Sequence, residues 1–371
     1  LDLSAAFDTI DHEILCQRLQ DVFGCSGTAL AWFSSYLTDR TQSVVVNNIR
    51  STPSPLRYGV PQGSVLGPVL FTMYTQPLSS LINTLNHPYH FFADDSQLYD
   101  STVPADTPSL ACEMSSSIAS VADWMRDNKL KMNDEKTELI AVGTRSKLAL
   151  TPLLSMTISG HEIEFSKSVR NLGVYLDETL SMDTQINTLC RALNFHLRRI
   201  GKIRQYLSTE SANTLAVSFI LSRLDFCNSL LSGLPDAKLS RLQRIQNNAA
   251  RVVLRQPRRA SATSALRTLH WLPVKARIDY KLACLTFHCL HSDSCPSYLS
   301  ELLSPYKPTR TLRSQDASLL TVPRYSLNTF GKRSFTVMAP LLWNSLPSSL
   351  RQTDSLTSFQ KNLKTHLFCK Y

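Results

Sequence analysis

Two aspartates stand side by side in the stretch Tyr89-His90-Phe91-Phe92-Ala93-Asp94-Asp95-Ser96-Gln97-Leu98-Tyr99. Its flanks are apolar and rich in aromatic residues, the composition of short strands, and its polar centre reads as the tight turn joining them. A hairpin tip therefore carries two carboxylates with no cation beside them in sequence. Like charges this close push their pKa values apart unless a positive charge sits with them. Mg²⁺ could supply that charge, since it binds through one or two carboxylates and takes further ligands from substrate phosphates. A solvated Asp-rich turn has the same composition, so the hairpin alone leaves both readings open.

Three other stretches carry residues that could work with this pair. Leu1-Asp2-Leu3-Ser4-Ala5-Ala6-Phe7-Asp8 places an acid on the end of an apolar strand, and Thr9-Ile10-Asp11-His12 follows it. Gly59-Val60-Pro61-Gln62-Gly63-Ser64-Val65-Leu66-Gly67-Pro68 reads as a turn opening a helix. Asn133-Asp134-Glu135-Lys136-Thr137-Glu138 puts Lys136 at the start of an expected strand.

The elements that must hold these groups follow from periodicity. Ile10, Ile14, Leu15, Leu19, Val22 and Phe23 recur at helical spacing, predicting a helix over residues 8–23 with Asp8 as its N-cap. Gly24 and Gly27 end it. A second helix is expected over 30–37, a strand over 42–46, and a buried helix from about 65 to 82. After the hairpin come a long helix over about 108–130, a strand over 137–142 and further short strands within 154–176. Strands and helices interleave without a βαβ repeat, which points to α+β.

Charge divides the chain. Residues 1–180 carry 12 Lys and Arg against 20 Asp and Glu, a net of −8; residues 181–371 carry 27 against 9, a net of +18, making the +10 of the whole. An acidic half joined to a basic one suits a protein that holds metal with one and a phosphate backbone with the other. The densest basic runs lie on expected helices. The first holds Arg198, Arg199, Lys202 and Arg204; the second holds Arg241, Arg244, Arg251, Arg255, Arg258 and Arg259. Leu242, Ile245, Ala249, Val252 and Val253 fit one face of the second, leaving its arginines largely outward for phosphate contact. Nine cysteines without a paired framework read as reduced and intracellular. No apolar run approaches the ~20 residues needed to cross a bilayer. Cys284, His288, Cys289, His291 and Cys295 crowd together, but lack the short Cys-x₂-Cys spacing of a zinc knuckle.

Asp2, the Pro61-Gln62-Gly63 turn and the Phe92-Ala93-Asp94-Asp95 hairpin, in this order and spacing, resemble the palm of reverse transcriptases. The wording of each block is similar to the non-LTR retrotransposon branch, the LINE-type elements of the CR1, L2 and Rex kind. The likeness spans roughly the first half of the chain. Arg333-Ser334-Phe335 and Leu342-Trp343-Asn344-Ser345-Leu346-Pro347 extend it into the C-terminal part.

The resemblance implies a right-hand polymerase without its fingers. Residues 1–180 would be the palm, an antiparallel sheet with helices, 181–256 a helical basic thumb and 257–371 a C-terminal extension. It implies an RNA-directed DNA polymerase joining deoxynucleoside triphosphates to a DNA primer 3′-hydroxyl on an RNA template, with two Mg²⁺ ions. Asp2 and Asp94 match the bridging metal ligands and Asp95 the third acid. Phe7 matches the ring that discriminates against ribonucleotides, Gln62 and Gly63 the turn touching the nascent pair, and Lys136 a lysine that protonates pyrophosphate. Opening at Leu1 directly on the acidic strand, the sequence reads as a fragment beginning inside the palm, with nucleus and cytoplasmic ribonucleoprotein both open as its address. A catalytically inactive nucleic-acid-binding remnant would share every one of these motifs.

Overall fold

The computed structural model describes residues 1–152, 155–158, 160–307 and 318–370. They belong to two compact units, Leu1–Leu172 and Gly173–Tyr371. The first mixes helices with small antiparallel strand pairs, and the second is mainly helical.

In the first unit the hairpin forms as its sequence requires. Tyr89–Phe92 pairs with Asp95–Leu98, with Phe92 opposite Asp95. Its two-residue turn is Ala93-Asp94, and Ala93 takes a left-handed φ of +53°, as the mirror-image turns that suit twisted strands demand. Leu3–Ser4 pairs antiparallel with Lys131–Met132. Helices His12–Asp21, Gly67–Thr84 and Thr107–Asp127 enclose the core through Leu15, Leu19, Leu70, Phe71, Tyr74, Ile118, Val121 and Met125. Each such fully buried side chain contributes ~1.5–3 kcal/mol of transfer free energy.

Several boundaries differ from the sequence expectation for local reasons. The first helix begins at His12, and its N-cap is Asp11, whose Oδ1 accepts from the amides of Glu13 and Ile14 at 2.9 and 3.1 Å. Asp8 lies outside it. Gly27 opens the second helix rather than closing the first. The strand expected over 42–46 is two pieces: Thr41–Gln42 pairs with Ser54–Pro55, and Val45–Val46 turns back onto Ile49–Arg50 through Asn47 and Asn48. Both asparagines have positive φ, +49° and +63°, which Asn tolerates. The strand expected over 137–142 reduces to a single bridge between Leu139 and Phe165, because a 3₁₀ turn at Asp134–Lys136 bends the chain just before it.

In the second unit Asp183–Ile203 and Asp236–Val253 bury one stripe each, Ile186, Leu189, Leu193 and Ile200 against Leu242, Ile245, Ala249 and Val253. A further core gathers Phe287, Trp343, Phe359 and Leu363. Helix Val274–His291 serves both, through Val274 and Ile278 on one side and Leu282 and Phe287 on the other.

Candidate active site and nucleic-acid interface

Asp2 is positioned by backbone on both sides. Leu1 and Ser96 exchange two hydrogen bonds, the Leu1 ammonium donating to the Ser96 carbonyl at 2.7 Å and the Ser96 amide to the Leu1 carbonyl at 3.1 Å. Such a reciprocal pair is the unit of an antiparallel ladder. On the other side the Asn133 amide donates to the Asp2 carbonyl at 2.9 Å, next to the Leu3–Met132 pairing. The short Leu1–Ser4 segment thus runs between the hairpin and Lys131–Met132, bringing Asp2 beside the hairpin acids. The field at Asp95 reports the same proximity. Burial raises its pKa first, and the charges of Asp94 and then Asp2 raise it further.

Two groups already occupy the Asp2 carboxylate. The Leu3 amide donates to Oδ1 at 3.0 Å, and the Lys136 ammonium lies 3.3 Å from Oδ2. Lys136 is exposed while Asp2 is half-buried, so the pair is screened and weak, and open to exchange for another cation. Glu138 is a further acid that sequence reading passed over. Its field reaches the Leu1 ammonium together with those of Asp2 and Asp95, although burial dominates there and lowers the ammonium pKa. In kind, these oxygen donors fit a hard divalent cation, which takes few carboxylates and keeps waters and phosphates. Among the described residues no set of three or more His, Cys, Asp and Glu side chains is gathered as a ready-made metal cage.

The loop bearing Gln62 is tied to the loop bearing Phe7. The Val60 amide donates to the Phe7 carbonyl at 2.9 Å, the Gly59 amide to the Ile10 carbonyl at 2.8 Å, and Gln62 Nε2 to Asp8 Oδ1 at 2.9 Å. That last bond is what Asp8 does in place of capping a helix. Gly59 makes the approach possible: its φ is +86°, and a Cβ there would stand 2.9 Å from the Asp8 Cα and Phe7 carbonyl oxygen. Sequence reading missed Gly59, though it opens the very block that was singled out. Gly63 also has positive φ, +80°, but open space where its Cβ would be. Phe7 is half-buried, its ring 4.8 Å from that of Phe71. Gln62 is exposed.

The basic residues separate into two kinds. Arg198, Arg199, Lys202, Arg241, Arg244 and Arg255 are exposed. Arg204 is not available to phosphate, contrary to the sequence expectation. It is 7% exposed, and its guanidinium donates to the carbonyls of Val252, Val253 and Leu207 and to the Thr209 hydroxyl. It thereby satisfies the last carbonyls of the Asp236–Val253 helix. Arg255 donates to the carbonyls of Arg204, Gln205 and Leu207, and Arg251 to the Ala260 carbonyl and Asn248 Oδ1. Both are tied to the fold more than the sequence suggested.

Two stretches that drew attention in the sequence find local roles. Arg333 donates to the carbonyls of Leu180, Leu230 and Ser232, Asn344 brackets Leu320 with two hydrogen bonds, and Trp343 is 1% exposed. In the Cys/His cluster, Cys289 and Cys295 sulfurs are 2.8 Å apart, and His291 donates to the Phe287 carbonyl while stacking on its ring.

Within the first unit an acid-bearing hairpin stands beside an acid-bearing segment and a glycine-dependent turn. The family profile of reverse transcriptases (RNA-dependent DNA polymerases) matches residues 1–202, more than half of the chain, and the protein belongs to that family. It is 25% identical over 334 residues, 84% of its own length, to the probable RNA-directed DNA polymerase from transposon BS of Drosophila melanogaster. It is 25% identical over 210 residues to the RNA-directed DNA polymerase from mobile element jockey of the same species, covering 54% of this chain. It is 28% identical over 177 residues, 44% of the chain, to the retrovirus-related Pol polyprotein from type-1 retrotransposable element R2 of Popillia japonica. The matched regions cover 34%, 22% and 27% of those relatives, so the chain spans about a third of their length or less. The relatives are thus polymerases of non-LTR retrotransposons, as the sequence motifs indicated. Among the described residues no helix is long and apolar enough to cross a membrane.

Proposed function

We propose that this chain is the palm and thumb portion of an RNA-directed DNA polymerase that extends a DNA primer along an RNA template. The observation that carries the reading is the pairing of Leu1 with Ser96, which sets Asp2 beside Asp94 and Asp95 although 92 positions separate Asp2 from Asp94. Asp2, Asp94 and Asp95 would hold two Mg²⁺ ions. Bound there, the ions supply Lewis-acid activation of the primer 3′-hydroxyl and neutralise charge on the leaving pyrophosphate.

The protein's own groups divide the remaining work. Lys136, whose ammonium lies 3.3 Å from Asp2 Oδ2, would be the proton donor to the departing pyrophosphate. Phe7, its ring packed on Phe71, would exclude a 2′-hydroxyl from the sugar site. Gln62, braced by Asp8, and Gly63, with open space around its Cα, meet the base pair under construction. Residues 181–256 supply the thumb, holding the duplex through Arg198, Arg199, Lys202, Arg241 and Arg244. Residues 257–371 brace that thumb through the core shared along Val274–His291.

A second reading, nucleic-acid binding without synthesis, is favoured by the Lys136 ion pair, which places a cation on the Asp2 carboxylate already. Primer extension on an RNA template with Mg²⁺ separates the two. The chain should extend the primer, and Asp94→Asn should abolish extension while leaving duplex affinity within about twofold. An Asp94→Asn protein extending at the parental rate would sink the assignment of the acids.

A further inference from the structure

Along the outer side of Asp183–Ile203, Asn187, Arg191, Asn194, Phe195 and Arg198 fall at helical spacing on one stripe. Across from them stands Arg241 of the neighbouring helix, and together they line a cavity of about 380 Å³. That volume lies within the ~300–1,000 Å³ range of small-molecule sites.

The cavity's lining is selective in kind. Three arginines line it, and no Asp or Glu does. Arg241 is oriented by a 2.7 Å hydrogen bond to Asn187 Oδ1, which leaves the Asn187 amide hydrogens as donors. Asn194 donates to the Cys190 carbonyl at 2.9 Å, which leaves its own side-chain oxygen as an acceptor. Phe195, 54% exposed, contributes an aromatic ring to the lining. The Arg199 guanidinium lies over that ring at 5.3 Å from its centroid. Cationic groups for phosphate, an aromatic platform and amide groups able to meet a base edge are what proteins assemble to hold an unpaired nucleotide.

We propose that this cavity binds one unpaired nucleotide of a single-stranded nucleic acid, its phosphate on Arg191, Arg198 and Arg241 and its base stacked on Phe195. The proposal rests on the nucleic-acid reading above and sharpens it, since phosphate contact alone would not distinguish single strand from duplex, whereas a stacked base does. The site lies wholly within the second unit, so its binding needs neither Mg²⁺ nor the acids of the hairpin.

Fluorescence anisotropy on the full chain tests it, with three labelled probes: a short oligothymidylate, an abasic strand of equal length, and a blunt duplex. The expected result is that the abasic strand binds about tenfold more weakly than oligothymidylate, ~1.4 kcal/mol. Phe195→Ala should lower oligothymidylate affinity by the same factor and leave the abasic strand and duplex unchanged. Arg191→Ala with Arg198→Ala should reduce the single-strand salt slope by ~1.4. Phe195→Leu, which keeps apolar bulk without a stacking ring, should behave as Phe195→Ala, and matching circular dichroism spectra would show the folds intact. Equal affinity for base-containing and abasic strands, or a Phe195→Ala loss shared by all three probes, overturns the subsite alone. No measurable binding of any probe overturns it together with the nucleic-acid reading, while loss of primer extension leaves it standing.

Discussion

In the first unit three aspartates share a neighbourhood, with Lys136 paired to one of them, and burial with mutual repulsion raises the pKa of Asp95. In the second unit Arg204, Arg255 and Arg333 each donate to several backbone carbonyls. One unit keeps like charges close with only partial compensation from Lys136 and the Leu1 ammonium, while in the other several arginines are held by main-chain carbonyls. Uncompensated charge is costly in a folded protein, and it persists where a ligand of opposite sign completes it. On the proposed reading, the difference separates residues that take a ligand from residues that hold the fold. Net charge counts cannot make that separation, since Arg204 and Arg198 add equally to the +18 of residues 181–371.

The largest effect should come from testing that separation directly. Arg204→Ala strands the carbonyls of Val252, Val253 and Leu207 without their donor, and should cost roughly 3 kcal/mol of stability in denaturant titrations. Its salt slope for duplex binding should stay that of the parent. Arg244→Ala should do the reverse: stability within ~0.5 kcal/mol, and a salt slope shallower by ~0.9. If both substitutions altered binding alike and stability alike, the two kinds of arginine would be one.

Gly59 offers the next effect, in the first unit. An alanine there would hold a left-handed φ and press its Cβ to 2.9 Å of Asp8 and Phe7 backbone atoms. A loss of ~1–3 kcal/mol is expected. Because the strain falls on the junction between the Phe7 and Gln62 loops, discrimination between deoxynucleotides and ribonucleotides should worsen beyond what the stability loss explains. Gly63→Ala shares the backbone strain but meets no neighbour, and should cost less on unfolding.

These positions also mark what was legible in the sequence. The hairpin was, because aromatic-rich runs flanking a short polar centre are local information. So were the Gly67–Thr84 and Thr107–Asp127 helices, whose periodicity runs for several turns. The partner of Asp2 was not. Its strand is two residues long and pairs with Lys131–Met132, and no local pattern encodes a contact across so much chain. Arg204 lay within reach: it follows buried Ile200 by four positions, on the stripe that already holds Ile186, Leu189 and Leu193. Counting charges along the run concealed its face. Asp8 and Asp11 illustrate a milder version, since both precede the same helix and only the turn Ala5–Asp8 decides which one caps it. Asp11→Ala should accordingly cost ~1 kcal/mol and Asp8→Ala less than ~0.5 kcal/mol.

The effect of opposite sign belongs to Asp95. Burial, then Asp94, then Asp2 hold its carboxyl above the ordinary range. The folded protein therefore binds that proton more tightly than the unfolded chain does, whose aspartates titrate near 3.9. Stability from this group is greatest below that value and falls as pH rises through the raised one. At neutral pH the ionised Asp95 is a standing penalty, which Asp95→Asn removes. The expected gain is below ~1 kcal/mol after solvent screening, and it should vanish at pH 3, where the parent carboxyl is protonated in both states. Mg²⁺ should stabilise the parent by relieving the same repulsion, and stabilise Asp95→Asn less. Thermal unfolding of both proteins at pH 3 and pH 7, with and without Mg²⁺, gives all of these numbers. A loss of stability at pH 7 in Asp95→Asn, with an undiminished response to Mg²⁺, would mean that the aspartates are ordinary surface acids and that the contrast between the two units is one of composition alone.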